Sequence, residues 1–454
     1  MTGYKKRKVN VKGKSEWFVY KRFGKEEGLR VAERHNCDCR AGVRPALLYQ
    51  PFCFLGDGDE AKGMMLQRNN AKKLYYFRYA AEDGQTENEA LFFLGDNGML
   101  YQQRPNQLDV DIKARSGEDG AAVVLFNKEG RHGVLFVGKG MAWHDFEGGT
   151  PMDLHCVVAV CAYKGRAFIG LEGGRILFSE PDEPCVFKGE EGNSYIDLTA
   201  EYGEITNFVV WKEKIYVILE YGIYCLIPSG DMAECRLERL PYSGGKIFCT
   251  SAAVCGEKIY FLAEDGVYAF DGKTAEKVCK EVPVYPLKEG QLCTCTTKED
   301  RFLLCYQDEK RGNTTLVIFD GNTPTACFAD GFKSLGGDGS RTLFTILEDN
   351  LDWLKKLTAH GEVYGQSFFK SSRLTFGKQG RKTLKRLLFH GRGEFLCRVH
   401  NGNHIVERWV DMGSDKETGV GIDLFERGEG FCLEFVFTKE AEISSVAAEV
   451  AFGK

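Results

Sequence analysis

One short phrase, a strand, a tight turn and a second strand, recurs along this chain and limits what it can fold into. Its clearest copies are Lys258-Ile-Tyr-Phe-Leu-Ala-Glu-Asp-Gly-Val-Tyr-Ala-Phe270 and Lys214-Ile-Tyr-Val-Ile-Leu-Glu-Tyr-Gly-Ile-Tyr-Cys-Leu226. Arg166 to Phe178, His132 to His144 and Ala90 to Gln102 supply three more. Their turn glycines are Gly98, Gly140, Gly174, Gly222 and Gly266, spaced 34 to 48 residues apart. Four short antiparallel strands per unit need that length, and such units stack radially into a β-propeller. A four-stranded unit cannot cover both of its own faces, so it requires neighbours.

Two further hairpins follow the pattern loosely: Arg301 to Tyr306 with Leu316 to Gly321, and Thr342 to Asn350. Seven hairpins in all predict six or seven blades over residues 45–365. After about residue 366 the rhythm changes. Strands at Ser372–Gly377, Thr383–His390, Glu394–His400, His404–Met412, Gly419–Phe425, Gly430–Thr438 and Glu442–Phe452 predict a small β-sandwich over 366–454. The fold class expected is therefore all-β, a six- or seven-bladed propeller followed by a small C-terminal β-sandwich. The 53 glycines and 32 phenylalanines of the 454 residues suit many short strands joined by tight turns.

Charge is unevenly placed. Residues 1–44 hold 13 Lys and Arg against 5 Asp and Glu, so the remainder carries −13 of a net charge of −5. These residues read as a basic N-terminal arm, with Trp17 to Tyr20 as one candidate strand. Lys5, Lys6, Arg7 and Lys8 are not followed by an apolar run, so no secretory signal is expected, and no stretch is long and apolar enough for a membrane helix. The 17 cysteines, most of them single within apolar strands, read as reduced thiols in a cytoplasm-like compartment.

The chemistry-bearing motifs are thin. Cys37-Asp-Cys39 and Cys293-Thr-Cys295 have no partner pair at zinc spacing, and core packing explains them better. Gly56-Asp-Gly-Asp59 and Gly336-Gly-Asp-Gly339 lack the later ligands of a calcium loop and read as turns. His132, Trp143, His144 and Asp145 cluster near one turn without a poised Ser or Cys. The acidic turn positions Asp96, Glu172, Glu220, Glu264 and Glu348 are explained by hairpin geometry and exposure. No hydrolase, zincin or phosphate-loop motif occurs, so a non-enzymatic protein without cofactor or metal is expected. Two basic clusters are the candidate subunit or nucleic-acid contacts: Lys5, Lys6, Arg7 and Lys8, and Arg381, Lys382 and Arg386 with Lys378 and Lys385.

One segment departs from generic blade grammar. Gly165 to Phe187 runs through Ser179-Glu-Pro-Asp-Glu-Pro184, followed by Tyr195-Ile-Asp-Leu198 and Gly203-Glu-Ile-Thr206. It resembles a blade of phage tail or neck propellers, such as the tail tubular and packaged-DNA-stabilisation proteins of short-tailed phages and related prophage proteins. Ile205 to Leu226 is similar to the blade that follows in those proteins. Leu374-Thr-Phe-Gly377 and Lys382 to Leu387 look like the start of their trailing sandwich. Gly42-Val-Arg-Pro45 resembles an N-terminal element of the family, without the glycine expected after Pro45. The resemblance implies a structural subunit of a phage or phage-derived tail or neck, made in the host cytoplasm and held in a homo-oligomeric ring among other virion subunits. Non-specific DNA contact through the arm would fit that setting. Two alternatives stand beside it: a propeller that binds a surface glycan or protein partner, and an enzyme whose acids converge on the central channel.

Overall fold

The computed structural model describes residues 15–23, 28–54, 71–81, 85–95, 99–103, 110–115, 122–128, 131–137, 141–144, 149–152, 157–187, 195–198, 200–228, 235–280, 282–287, 293–337, 342–348, 350–358, 360–413 and 418–452. Those residues are almost entirely β, with one short 3-10 turn at Ala200–Tyr202. The chain forms two compact units. One comprises Pro51–Ala326 and Gly331–Lys356; the other comprises Met1–Gln50, Cys327–Asp330 and Leu357–Lys454.

The first unit is a β-propeller. Successive stretches of chain make antiparallel four-stranded sheets. The first sheet holds Ala71–Ala80, Glu87–Gly95, Met99–Gln103 and Val110–Arg115, and the second Ala122–Lys128, Arg131–Val137, Met141–His144 and Gly149–Met152. The third holds Val157–Tyr163, Arg166–Leu171, Arg175–Phe178 and Tyr195–Asp197. The fourth holds Ile205–Trp211, Lys214–Leu219, Ile223–Ile227 and Arg236–Leu240. The fifth holds Ala253–Cys255, Lys258–Ala263, Gly266–Phe270 and Ala275–Lys277, and the sixth Thr294–Lys298, Arg301–Asp308, Gly312–Phe319 and Thr325–Asp330. A further run is ordered Phe332–Gly337, Leu343–Leu347, Asn350–Thr358, Leu48–Phe54. The recurring phrase of the sequence is the second and third strand of each sheet.

The strand Lys214–Leu219 shows why that phrase is almost wholly apolar. Ile215, Val217 and Leu219 pack with Phe168, Ile176 and Phe178 of the third sheet. Tyr216 and Ile218 point the other way, onto Ile259, Phe261 and Phe270 of the fifth. Alternation sends neighbours to opposite faces, and here both faces are buried, so no polar alternation survives. Each such side chain contributes about 1.5–3 kcal/mol by leaving water. The first sheet packs on the second through Phe92, Leu94 and Phe136. Its other face meets the last run, where Leu74, Tyr76 and Phe93 join Phe344, Ile346 and Leu354.

Turn glycines serve two different needs. Gly174 has φ +85° and Gly266 φ +144°, values a side chain rarely adopts. Gly222 is needed for space, because a Cβ there would lie 3.0 Å from Cβ and Cγ of Tyr202. Gly98 and Gly140 lie outside the described residues.

The second unit departs from the expected boundaries. Lys382–Asn401 is one 20-residue strand. Its first half pairs with Thr418–Gly428 and Ala441–Phe452, and its second half with His404–Asp411 and Cys432–Lys439. The pairing shifts at His390/Gly391, where Gly391 and Gly393 have φ +152° and +81°. The predicted break between strands at Gly391 to Gly393 is thus a bend inside one strand, and the compact unit joins Met1–Gln50 and Cys327–Asp330 to Leu357–Lys454 in place of 366–454 alone. Phe389, Phe395 and Phe435 pack edge to face inside the bend, with centroids 5.1–5.8 Å apart.

The N-terminal segment is no solvated arm from Ser15 onward. Ser15–Tyr20 pairs with the strand Ala441–Phe452, and Val31–His35 pairs with Glu362–Ser371. Phe18, Tyr20, Phe23 and Leu29 are buried in the same core as Phe389 and Phe435. Lys5, Lys6, Arg7 and Lys8 lie outside the described residues.

Candidate functional site

The first strands of the sheets surround a cavity of about 260 Å³ in the propeller unit. Lys73, Tyr75, Asn207, Thr250, Thr294 and Thr296 are among the residues lining it. Several of these groups join neighbouring sheets. Asn207 Nδ2 donates to the Phe248 carbonyl (3.0 Å) and its Oδ1 accepts from Ala252 N (3.3 Å), tying the fourth sheet to the fifth. Thr250 Oγ1 donates to the Cys293 carbonyl (2.6 Å), reaching toward the sixth. Thr206 Oγ1 donates to Ile218 O within its own sheet (3.1 Å). Buried amides and hydroxyls satisfied in this way hold the strands in position. Burial pushes the Cys293 thiol up to about 12 and raises that of Cys295, against the pull of the Lys73 charge, so both stay protonated near neutral pH. Among the described residues, the cavity walls contain one ammonium, hydroxyls and one amide but no carboxylate. Such a set presents donors suited to hydrogen-bond acceptors and anions.

Gly336 and Gly337, expected in a turn, end the strand Phe332–Gly337 and line the same cavity. A Cβ on Gly336 would stand 2.7 Å from Leu74 Cβ, so glycine permits the close approach of two strands. Gly56 to Asp59 lie outside the described residues.

Among the described residues, the acidic turn positions Glu172, Glu220, Glu264 and Glu348 do not line the cavity, and Asp96 lies outside the described residues. Glu220 binds Lys246 at 2.6 Å, and the neighbouring Asp265 accepts from Tyr268 at 2.7 Å. The His132 ring lies 5.2 Å from that of Tyr79, tilted by 38°. Asp145 and the side chains of Trp143 and His144 lie outside the described residues. The Ser179–Pro184 extension is a self-bonded loop. Buried Ser179 Oγ accepts from Ala167 N and donates to Glu180 O, both at 2.9 Å, and Asp182 N donates to Gly165 O at 2.6 Å.

The second basic cluster is brought together but is largely engaged. Lys382 is 1% exposed, and its ammonium donates to the carbonyls of Lys378 (2.9 Å) and Glu429 (2.6 Å). Burial draws its pKa down. Lys378 pairs with Glu16 (2.7 Å), Lys385 donates to Ser15 Oγ (2.8 Å), and Arg386 lies 3.4 Å from Asp423. Arg381 is exposed.

Sequence reasoning missed a cross-strand row on the second unit. Glu407, Arg398, Glu434 and Lys370 stand opposite one another on four adjacent strands. Arg398 donates to Glu407 at 2.7 Å and to Glu434 at 2.9 Å, and His400 Nε2 lies 2.6 Å from the other Glu434 oxygen. Burial alone would raise the Glu434 carboxyl, but the Arg398 and His400 bonds outweigh it and hold it below the usual range. Beside it runs an apolar row, Trp409–Leu396–Val436–Phe368. Trp409 is 65% and Ile405 49% exposed. Their strand, His404–Asp411, hydrogen-bonds to one strand only among the described residues. The sequence signal was available in Glu434, a charge inside the apolar run Cys432 to Phe437.

No protein-family model matches the chain, and no curated protein matches it. Among solved structures, it is similar to PorZ, a surface component of the type-IX secretion system of Porphyromonas gingivalis, with TM-score 0.42, 12% identity and 80% of this chain covered. The chain spans about half (46%) of the length of PorZ. It is also similar to BBS1N, solved in complex with ARL6DN (TM-score 0.43, 11% identity, 70% of this chain and 98% of that one). A third similarity is to the extracellular domain of the putative hybrid two-component system BT4673 from B. thetaiotaomicron (TM-score 0.43, 10% identity, 83% of this chain and 47% of that one).

Proposed function

We propose that this chain is a non-enzymatic assembly subunit, with a propeller as rigid scaffold and the strand His404–Asp411 as its contact to neighbouring copies. The observation that carries the reading is that edge strand, which presents Ile405 and Trp409 to solvent and has one strand neighbour among the described residues. Unpaired strand edges with exposed apolar side chains are templates for association. The four-stranded sheets of the propeller unit, packed face to face, support its part as a rigid scaffold. A phage-derived tail or neck particle is the setting we infer, supported by the likeness of residues 165–226 to blades of such proteins. The test is mass photometry of the intact protein and of Trp409→Ala. Oligomers that the substitution dissolves support the reading, and a wild-type monomer counts against it.

A second reading, ligand binding in the propeller cavity, is favoured by Lys73 and the threonine hydroxyls gathered there. Inorganic phosphate would then raise the melting temperature of the wild type and leave that of Lys73→Met unchanged.

A further inference from the structure

The sequence pair Cys37-Asp-Cys39 is not core filling of the ordinary kind. The two sulfurs stand 3.8 Å apart, close to van der Waals contact. The residue between them is turned elsewhere and fixed. Buried Asp38 accepts from Arg40 N (3.0 Å), Arg40 Nε (3.1 Å) and Arg44 Nη2 (3.2 Å). The preceding residue is held as well. Asn36 accepts from Leu47 N (2.8 Å), donates to Leu47 O (3.2 Å), and receives Ser367 Oγ at its carbonyl (2.6 Å). Asn36, which precedes the pair, has φ +44°, a left-handed conformation that Asn tolerates.

The two thiols differ. Cys37 is wholly buried and Cys39 is 6% exposed. The contact with the Cys37 sulfur and the positive charge of Arg34 draw the Cys39 thiol below its ordinary value, while burial drives that of Cys37 up. A thiol whose ionisation a neighbouring cation favours, with a second thiol within contact, is the arrangement of an attacking and a resolving cysteine. A third thiol, Cys327, is buried near the same arginine, and burial pushes it up to about 12.

We propose that Cys37 and Cys39 are a reversible redox pair that hydrogen peroxide closes into a disulfide. The Cys39 thiolate attacks one peroxide oxygen, the O–O bond breaks, and Cys39 becomes a sulfenic acid as the departing hydroxide takes a proton to give water. The Cys37 sulfur then attacks the sulfenic sulfur, the S–O bond breaks, and the second water leaves with the Cys37 proton. Two electrons pass from the two sulfurs to the peroxide, and the sulfurs close from 3.8 Å to the covalent distance of about 2.05 Å. A thiol reductant reverses the step by exchange.

Trypsin cuts after Arg34 and Arg40, so His35–Arg40 carries both thiols and Cys327 falls in another peptide. The folded protein is treated with hydrogen peroxide, alkylated, digested and weighed. The pair predicts a His35–Arg40 peptide lighter by two hydrogens, refractory to alkylation, and restored by dithiothreitol. In Cys37→Ser, Cys39 stops at the sulfenic acid and takes a dimedone label. Should that variant not fold, the wild-type peptide decides alone. Two freely alkylated thiols after peroxide, or a Cys39–Cys327 cross-linked peptide in place of the internal disulfide, overturns the proposal.

Discussion

The backbone N–H of Leu74 donates to Ser334 Oγ at 3.1 Å, joining residues 260 positions apart. Ser334 is buried, and its own carbonyl accepts from Thr345 Oγ1 at 2.8 Å. The bond links the first sheet to the strand Phe332–Gly337 and so closes the packing order of the propeller. A buried amide left without its acceptor costs about 1–3 kcal/mol. Ser334→Ala is therefore expected to lower unfolding free energy by that amount. Hydrogen exchange of the Leu74 amide is the direct readout, and unchanged protection would show that the bond does not hold the closure.

Asn207 should behave as a clamp between the fourth and fifth sheets. Asn207→Leu keeps the volume but leaves Phe248 O and Ala252 N unpaired, and a loss of about 2 kcal/mol or more is expected from two buried partners. Denaturant unfolding of the variant measures it. A loss below the error of that experiment would mean that water replaces the amide.

Gly222→Ala is expected to destabilise by about 1–3 kcal/mol through overpacking against Tyr202. Backbone strain is not the cause, so Tyr202→Ala in the same chain should absorb most of the penalty. A double-mutant cycle checks this, and strict additivity of the two changes would point instead to the turn conformation.

Acid should act through Glu434. Its carboxyl is held below the ordinary value of 4.5, so the charged form contributes stability that is fully present above that value. As pH falls through the lowered value, the contribution is lost. Thermal unfolding of the wild type and Glu434→Gln should differ most near neutral pH and converge in acid. Parallel curves across the acid range would show that Arg398 and His400 do not stabilise the charged carboxylate.

The legible part of this fold was local. In Lys214–Leu226 the strand, the turn and the second strand are contiguous, so alternation and a turn glycine identify the hairpin without knowledge of its neighbours. Trp17 to Tyr20 was readable as a strand, but its pairing was not, because the partner lies at Val446 to Ala451 and a pairing across most of the chain leaves no periodic trace. Lys382 misled for a different reason. Its charge suggested a surface, yet Lys382 and Leu384 alternate on the buried face of one strand, and carbonyls stand in for solvent around the ammonium. The cavity residues illustrate the same limit. Asn207, Thr250 and Thr294 are unremarkable polar residues in sequence, and only the stacking of sheets brings them together.

The central claim, assembly through His404–Asp411, is tested most directly by the mass of the particle in solution. Mass photometry of the wild type should give species that are multiples of the 51.0 kDa chain, and Trp409→Ala combined with Ile405→Ser should return the single-chain mass without a change in melting temperature. A wild-type protein that remains at 51.0 kDa, or oligomers that survive both substitutions intact, would contradict it.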